Sequence, residues 1–429
     1  MSEFKTLRGM RDLLPEDAAT MTYIGDTARK VARLYGYKEI ITPVVESYEL
    51  LAAKAGDEVR SRMFAFKDLG GREVALRPEF TASVARLVAT TLRNEPKPFR
   101  IFCTGSTYRY DEPQRGRYRE FWQSDYELIG SNRPEADAEI LMATNSLMQD
   151  AGLKKFAMKT GHVGVLRAIL AEEKIDEKQQ NAIMQLMDKK EYDAAIRMVE
   201  NAGATQKCLT TLRQLVQCRG NDIFEIINRM KELVKDYEKS VAAAENLEEI
   251  LTLVTESGCK IDMSVDAGFA RGLEYYTGMV FEVYVPDLDI ALGGGGRYDR
   301  LVELFGGEPT PATGVAHGID RIMLAMQAQK TVPDKEKTKT VFVVPIKDEQ
   351  KTEALKIAQM LRNVGISVEV EVMGRRMSKA LEDADRRKLD YAVIVGEKEL
   401  KEKSVVLRDL AKRQQNTVKI EKITDAIKA

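Results

Sequence analysis

The sequence predicts an α+β protein: a strand-and-helix core interrupted by a helical insertion and followed by a separate α/β domain. Three observations predict it. Residues 100–127 alternate at a period of two on either side of a polar turn, the pattern of an antiparallel hairpin. Residues 166–257 instead carry apolar positions at helical spacing among many Lys and Glu, with no strand-like alternation. Beyond a charged, proline-containing linker, strands and helices alternate as in a small domain with a mostly parallel sheet. The expected boundaries are a core in two parts (1–165 and 258–328), the insertion (166–257), the linker (329–340) and the C-terminal domain (341–429).

In chain order, residues 6–15 form an irregular stretch bounded by Gly and Pro. Apolar positions from Thr20 to Tyr35 recur at helical spacing and stop at Gly36. The β-branched run KEIITPVVES contains Pro43, which marks an edge or interface strand rather than a central one. Two short strands, MFAFKD and EVALRPEFT, deliver Glu79 and Thr81 at the mouth of a sheet. A surface salt bridge and a helix N-cap are equally consistent roles for that pair. Residues 134–152 read as a helix and KKFAMKTGH as a strand. After the insertion, strand character returns at 260–285, followed by four glycines, Gly293 to Gly296, which allow close approach of backbone to a ligand. They form neither a Walker A loop nor a GxGxxG turn. In the helix that follows, Arg321 falls in the first turn, an unfavourable place for a cation unless an anionic ligand is near.

Composition narrows the classes. With 44% hydrophobic and 31% charged residues, the chain reads as a soluble globular protein of two or three domains. No run of eighteen apolar residues and no apolar block behind a basic N-terminus is present, so neither a membrane span nor a secretory signal is expected, and the cytoplasm is the expected compartment. A net charge of −1 excludes a globally basic protein that coats nucleic acid. Four scattered cysteines without a CxxC pair, and two histidines, argue against a structural zinc site and a disulfide framework.

The hairpin carries the chemistry. Its second arm puts Arg119, Phe121, Gln123, Asp125 and Glu127 on one face, and the first arm ends on Arg109. Guanidinium forks bind phosphate or carboxylate, an aromatic face stacks on a base, and Gln and Glu hold an amine. Such a face suits a zwitterionic ligand joined to a phosphate; a solvated edge hairpin satisfies the same pattern.

The motifs LRPEFT (76–81), YRYDEPQRGRYREFWQ (108–123), RGLEYYTG (271–278), ALGGGGRYD (291–299) and ATGVAHGIDRI (312–322) together resemble the class II aminoacyl-tRNA synthetases, and among them the histidyl-tRNA synthetase family. The resemblance implies an antiparallel sheet flanked by helices and a C-terminal anticodon-binding domain. It implies activation of L-histidine with ATP to histidyl-adenylate, then transfer to the terminal adenosine of tRNA(His). Arg109 and Arg271 match the catalytic arginines. Glu79, Thr81, Gln123, Glu127, Tyr275 and Tyr276, with both arginines, match the histidine site, although core packing is an alternative for the two tyrosines. Arg109, Asp111, Arg117, Phe121, Gly294, Gly296 and Arg321 match ATP contacts. Magnesium is expected on the ATP phosphates, with no metal site of the protein's own. The helix and strand at 23–47 match the dimer-forming first motif, and the insertion matches the part that meets the tRNA acceptor arm. Arg375, Arg376 and Lys379 are candidates for the anticodon, or a solvated helix start. Glu274 and Trp122 depart from the commoner residues. The rival implied by the resemblance is a catalytically inactive regulatory subunit of ATP phosphoribosyltransferase, a class that lacks the C-terminal domain.

Overall fold

The structure is a computed structural model that describes residues 4–54, 57–271, 275–286, 288, 290–333 and 339–428. Glu274 and part of the expected linker lie outside the described residues. The chain divides into two units, Met1–Pro333 and Asp334–Ala429.

A nine-stranded sheet organises the first unit. Its described strands, in spatial order, are Lys38–Glu39, Phe99–Tyr108, Glu120–Ile129, Ala312–Gly318, Ala291–Arg297, Met279–Tyr284, Ala157–His162, Met263–Asp266 and Arg219–Gly220. Neighbours run antiparallel except at Lys38–Glu39 beside Phe99–Tyr108 and at Ala157–His162 beside Met263–Asp266. The expected hairpin is there, in register from Phe99 opposite Ile129 to Tyr108 opposite Glu120. Alternation sets its two faces. Tyr126 turns into the core, donates its hydroxyl to the Ala28 carbonyl at 2.9 Å and packs against Tyr37 and Phe102. Helices Pro15–Leu34, Pro134–Asp150 and Ile319–Gln329 pack against these strands, and the first two open on a proline whose missing N–H costs nothing at that position. Burial of each large core side chain, such as Phe102 or Ile140, contributes roughly 1.5–3 kcal/mol. The other face of the hairpin is left for the cavity.

Pro43 has the expected effect. The stretch divides into Lys38–Glu39 and Val45–Ser47, which belong to different sheets, and the Thr42 carbonyl between them accepts from Arg77 Nη1 at 2.8 Å. Val45–Ser47, Glu73–Leu76 and Ala65–Lys67 form a three-stranded sheet that carries Glu79 to the cavity. Thr81 opens helix Thr81–Ala89 without capping it: Phe80 holds the cap position and no side-chain cap bond is made.

Helices Val163–Glu172, Glu177–Asp188, Tyr192–Asn201, Gln206–Leu215, Ile223–Leu233 and Glu238–Glu256 fill the insertion region. Asp176, Thr205 and Asp222 accept from backbone N–H groups in the first turns of the helices they precede. The region is not wholly helical, because Arg219–Gly220 pairs with Met263–Asp266; a two-residue ladder is too short to show as alternation.

The second unit has the strand order Ser367–Val370, Thr340–Pro345, Tyr391–Val395, Ser404–Asp409 and Gln414–Lys419. The expectation of a mostly parallel sheet is corrected here: the first two pairings are parallel and the last two antiparallel. Gln414–Lys419 carries a single apolar residue, Val418, too little for a period-two signal, and it returns as a hairpin through Arg413, whose φ is 55°.

Candidate active site

Alternation along Glu120–Ile129 projects Phe121, Gln123 and Glu127 into one cavity. Into the same cavity come Glu79 and Thr81 from the segment that leaves strand Glu73–Leu76 for helix Thr81–Ala89, Arg109, Asp111 and Arg117 from the hairpin mouth, Arg271, Tyr275 and Tyr276 from the segment before Met279–Tyr284, Gly294, and Arg321. Of the site residues expected from sequence, Gly296 does not line it. A Cβ at Gly296 would collide with the Met279 carbonyl and Val280, so that glycine serves strand packing. Trp122 is 41% exposed and lies outside the cavity wall.

One end is cationic. Arg109 donates from Nε to the Pro78 carbonyl at 3.0 Å, stands 5.4 Å from the Phe121 ring centroid and 4.0 Å from the Glu79 carboxylate. Arg271 donates to the Phe281 carbonyl at 3.1 Å and lies 3.6 Å from Glu282. Its guanidinium occupies the space a side chain at Gly294 would take: a Cβ there would sit 2.5 Å from Arg271 Cζ. Arg321, third residue of Ile319–Gln329, donates to the carbonyls of Ala291 at 2.8 Å and Gly116 at 3.2 Å. Burial, then the charges of Arg117, Arg109 and Arg271, push its pKa down to about 10. Four guanidinium groups crowded together, one of them at a helix N-terminus, store a repulsion that an anion relieves.

The other end is aromatic and acidic. The rings of Tyr275 and Tyr276 have centroids 4.8 Å apart, and Tyr275 meets Tyr298 edge-on at 5.8 Å. Glu127 is 1% exposed and accepts a short hydrogen bond from the Tyr298 hydroxyl. Gly314 opposite has no side chain, and a Cβ there would overlap the Glu127 carboxylate.

Sequence reasoning missed three contributors, Tyr298, Glu282 and Asp320. Tyr298 sits inside the ALGGGGRYD block, where the aromatic residue among glycines was the available signal. Glu282 stands between Arg271 and Lys159, whose Nζ is 3.7 Å away. Asp320 accepts from the Trp122 N–H at 2.6 Å and pairs with Arg11, which in turn covers the Tyr118 ring at 3.6 Å; this fastens the irregular N-terminal stretch to the hairpin. Nothing local in the sequence announces a contact spanning three hundred positions.

Elsewhere, His162 and His317 are buried, and burial holds both at about pKa 4, hence neutral. Among the described residues no cluster of His, Cys, Asp and Glu could hold a metal ion, and no helix is long and apolar enough to cross a membrane. In the second unit Arg375 is engaged by Glu371 and Asp383, both at 2.9 Å, and Lys379 by Glu382 at 3.1 Å, whereas Arg376 is exposed ahead of helix Met377–Arg386.

Residues 9–322 match the family described as histidyl-tRNA synthetase, and residues 340–429 match the anticodon binding domain. A histidine–tRNA ligase of Methanocaldococcus jannaschii is 41% identical over 425 residues, covering 98% of this chain and 99% of the relative. The chain belongs to the histidyl-tRNA synthetase family. It has the mixed α+β fold of the class II synthetases, with the C-terminal anticodon-binding domain. Two solved structures accord with this. One, from Bacillus halodurans, is described as an ATP phosphoribosyltransferase regulatory subunit/histidyl-tRNA synthetase; it has a TM-score of 0.78 and 28% identity over 92% of this chain and 99% of its own. The other, apo histidyl-tRNA synthetase from S. aureus, has a TM-score of 0.74 and 26% identity over the whole of both chains. In this family, ATP, histidine and tRNA(His) are the partners the membership implies.

Proposed function

We infer that the chain is a histidine–tRNA ligase, and propose that it performs both steps in the cavity described. One observation carries the assignment of roles: a cluster of arginines and a Glu127–tyrosine pocket line the same cavity, with Gln123 also in its wall. In the first step the histidine carboxylate attacks the α-phosphorus of ATP. The bond to the pyrophosphate oxygen breaks, giving histidyl-adenylate and pyrophosphate. Charge grows on the α-phosphate oxygens, and fixed guanidinium groups facing it lower the barrier without reorganising. Arg109 bridges carboxylate and α-phosphate, and Arg271, held in the Gly294 notch, neutralises the same group. Arg117 and Arg321 serve the outer phosphates, Phe121 stacks on adenine, and Asp111 and Gly294 complete the nucleotide wall. In the second step a hydroxyl of the terminal adenosine of tRNA attacks the carbonyl and AMP leaves.

Glu79, Thr81 and Gln123 surround the α-amino group. Glu127 and Tyr276, with Tyr275 alongside, face the imidazole, where an acid at one ring nitrogen and a hydroxyl at the other match a neutral ring. An amino acid lacking those groups leaves the buried partners unpaired and is rejected by orders of magnitude. Magnesium would accompany ATP and neutralise charge on its phosphates; Asp111 and Glu282 are the carboxylates that share that end of the cavity with the guanidinium groups.

A homodimer is proposed from the first-motif segment at 23–47, where Leu34, Ile41, Val44 and Val45 expose apolar surface. The second unit is proposed to read the anticodon and the helical region the acceptor arm, with the cytoplasm, where tRNA is charged, as the place of work. The regulatory-subunit reading is not adopted, because the arginine cluster and a unit matching the anticodon binding domain are both present. The test is ATP–pyrophosphate exchange. Exchange that requires L-histidine and is abolished by Arg271→Ala supports the proposal, and its absence from the unsubstituted protein refutes it.

A further inference from the structure

Tyr298 is absent from the residues assigned above to substrate, yet it lines the cavity and donates its hydroxyl to Glu127 Oε2. Both residues are buried, at 2% and 1% exposure. The backbone on either side is anchored. Arg297 is locked by the Asp137 carboxylate at 2.6 and 2.9 Å and by the Ser131 carbonyl at 3.0 Å. Asp299 accepts from the Thr277 hydroxyl at 3.1 Å, and the Thr277 N–H reaches the Arg297 carbonyl at 2.8 Å. Thr277 directly follows Tyr276. The Arg297–Tyr298–Asp299 triplet therefore ties three things together: the helix Pro134–Asp150, the Glu127 carboxylate and the chain that carries Tyr276.

We propose that Tyr298 is a positioning residue for histidine specificity, fixing the Glu127 carboxylate as a hydrogen-bond acceptor at the imidazole end of the cavity. This rests on the assignment of Glu127 to the imidazole. The chemistry is one-directional. Burial and the neighbouring Glu127 raise the Tyr298 phenol above its ordinary pKa, so it keeps its proton and donates, while Glu127 accepts. Gly314 leaves space for the carboxylate from below, and Tyr275 packs edge-on against the Tyr298 ring from the side, so the phenol has little room to swing. A carboxylate held in one orientation presents its acceptor to a ring N–H at a set place; one that rotates loses that selectivity.

The test is Tyr298→Phe, which removes a single oxygen, in histidine-dependent ATP–pyrophosphate exchange. A hydrogen bond to a charged group is worth about tenfold to a hundredfold in an equilibrium. KM for histidine is expected to rise by about that factor, with KM for ATP changed less than about twofold. Discrimination against thiazolylalanine, whose ring lacks the N–H donor, is expected to fall in the same variant. A cycle with Glu127→Gln provides the second measurement: on that background Tyr298→Phe should add little. An unchanged KM for histidine, equal rises in both KM values, loss of folding, or full additivity in the cycle would each overturn the proposal and assign Tyr298 to the fold. Absence of exchange from the unsubstituted protein would instead strike the proposed function itself.

Discussion

Replacing Gly294 with alanine tests the cationic end of the cavity without touching a cation. A Cβ at this position would overlap Arg271 Nη1 and stand 2.5 Å from Cζ, against an ordinary contact of 3.4–4 Å, so the guanidinium must retreat by more than about 1 Å. A misplacement of that size costs about 10²-fold in rate, or about 2.7 kcal/mol of transition-state stabilisation. The obstacle is the far end of a flexible side chain, so folding should lose little beyond the bond to the Phe281 carbonyl, roughly 1.5–3 kcal/mol for a charged donor. The assay is kcat for histidine-dependent exchange, with a urea unfolding midpoint measured alongside. Gly296→Ala is the contrast: its Cβ meets backbone at Met279 and Val280, so stability should fall. A Gly294→Ala protein that retains kcat within about twofold would refute the claim that the glycine exists to seat Arg271.

Glu127→Ala is expected to raise KM for histidine far more than KM for ATP; equal effects in exchange assays would remove Glu127 from the imidazole. Asp137→Asn breaks the buried pair with Arg297 and should lower stability by about 3–5 kcal/mol, read as a lower urea midpoint. Acid should also destabilise the fold. His162 and His317 have folded pKa values of about 4, below the unfolded value near 6.5, so the unfolded chain binds more protons between those limits. Stability is complete above about pH 6.5 and falls as pH drops towards 4, by about 2 kcal/mol per histidine at pH 5. Urea midpoints at pH 7.5 and 5 check this, and His317→Asn should flatten the difference.

How much was legible in the sequence depended on whether a residue's neighbours were local. The hairpin could be read because ten-residue arms alternate without interruption, and Arg321 because a cation in a helix's first turn contradicts the helix dipole. The edge strand Arg219–Gly220 and the polar strand Gln414–Lys419 could not, the first for shortness and the second for carrying a single apolar residue. Gly294 and Gly296 look equivalent in a run of four, but only the first faces a ligand-side group; the partner of the second is a neighbouring strand. Tyr298 and Asp320 act through residues 171 and 198 positions away, distances over which no periodicity runs. Arg375 pairs with Glu371 and Asp383 and Lys379 with Glu382, whereas Arg376 stays exposed, a difference that the run of basic residues does not announce.

The most direct test of the central claim is the charging of a tRNA(His) transcript with radiolabelled L-histidine by the purified full chain, with ATP and magnesium. The account predicts charging that depends on ATP, is lost in Arg109→Ala, and is absent with other amino acids. No charging of the transcript by a folded, histidine-binding protein would contradict it.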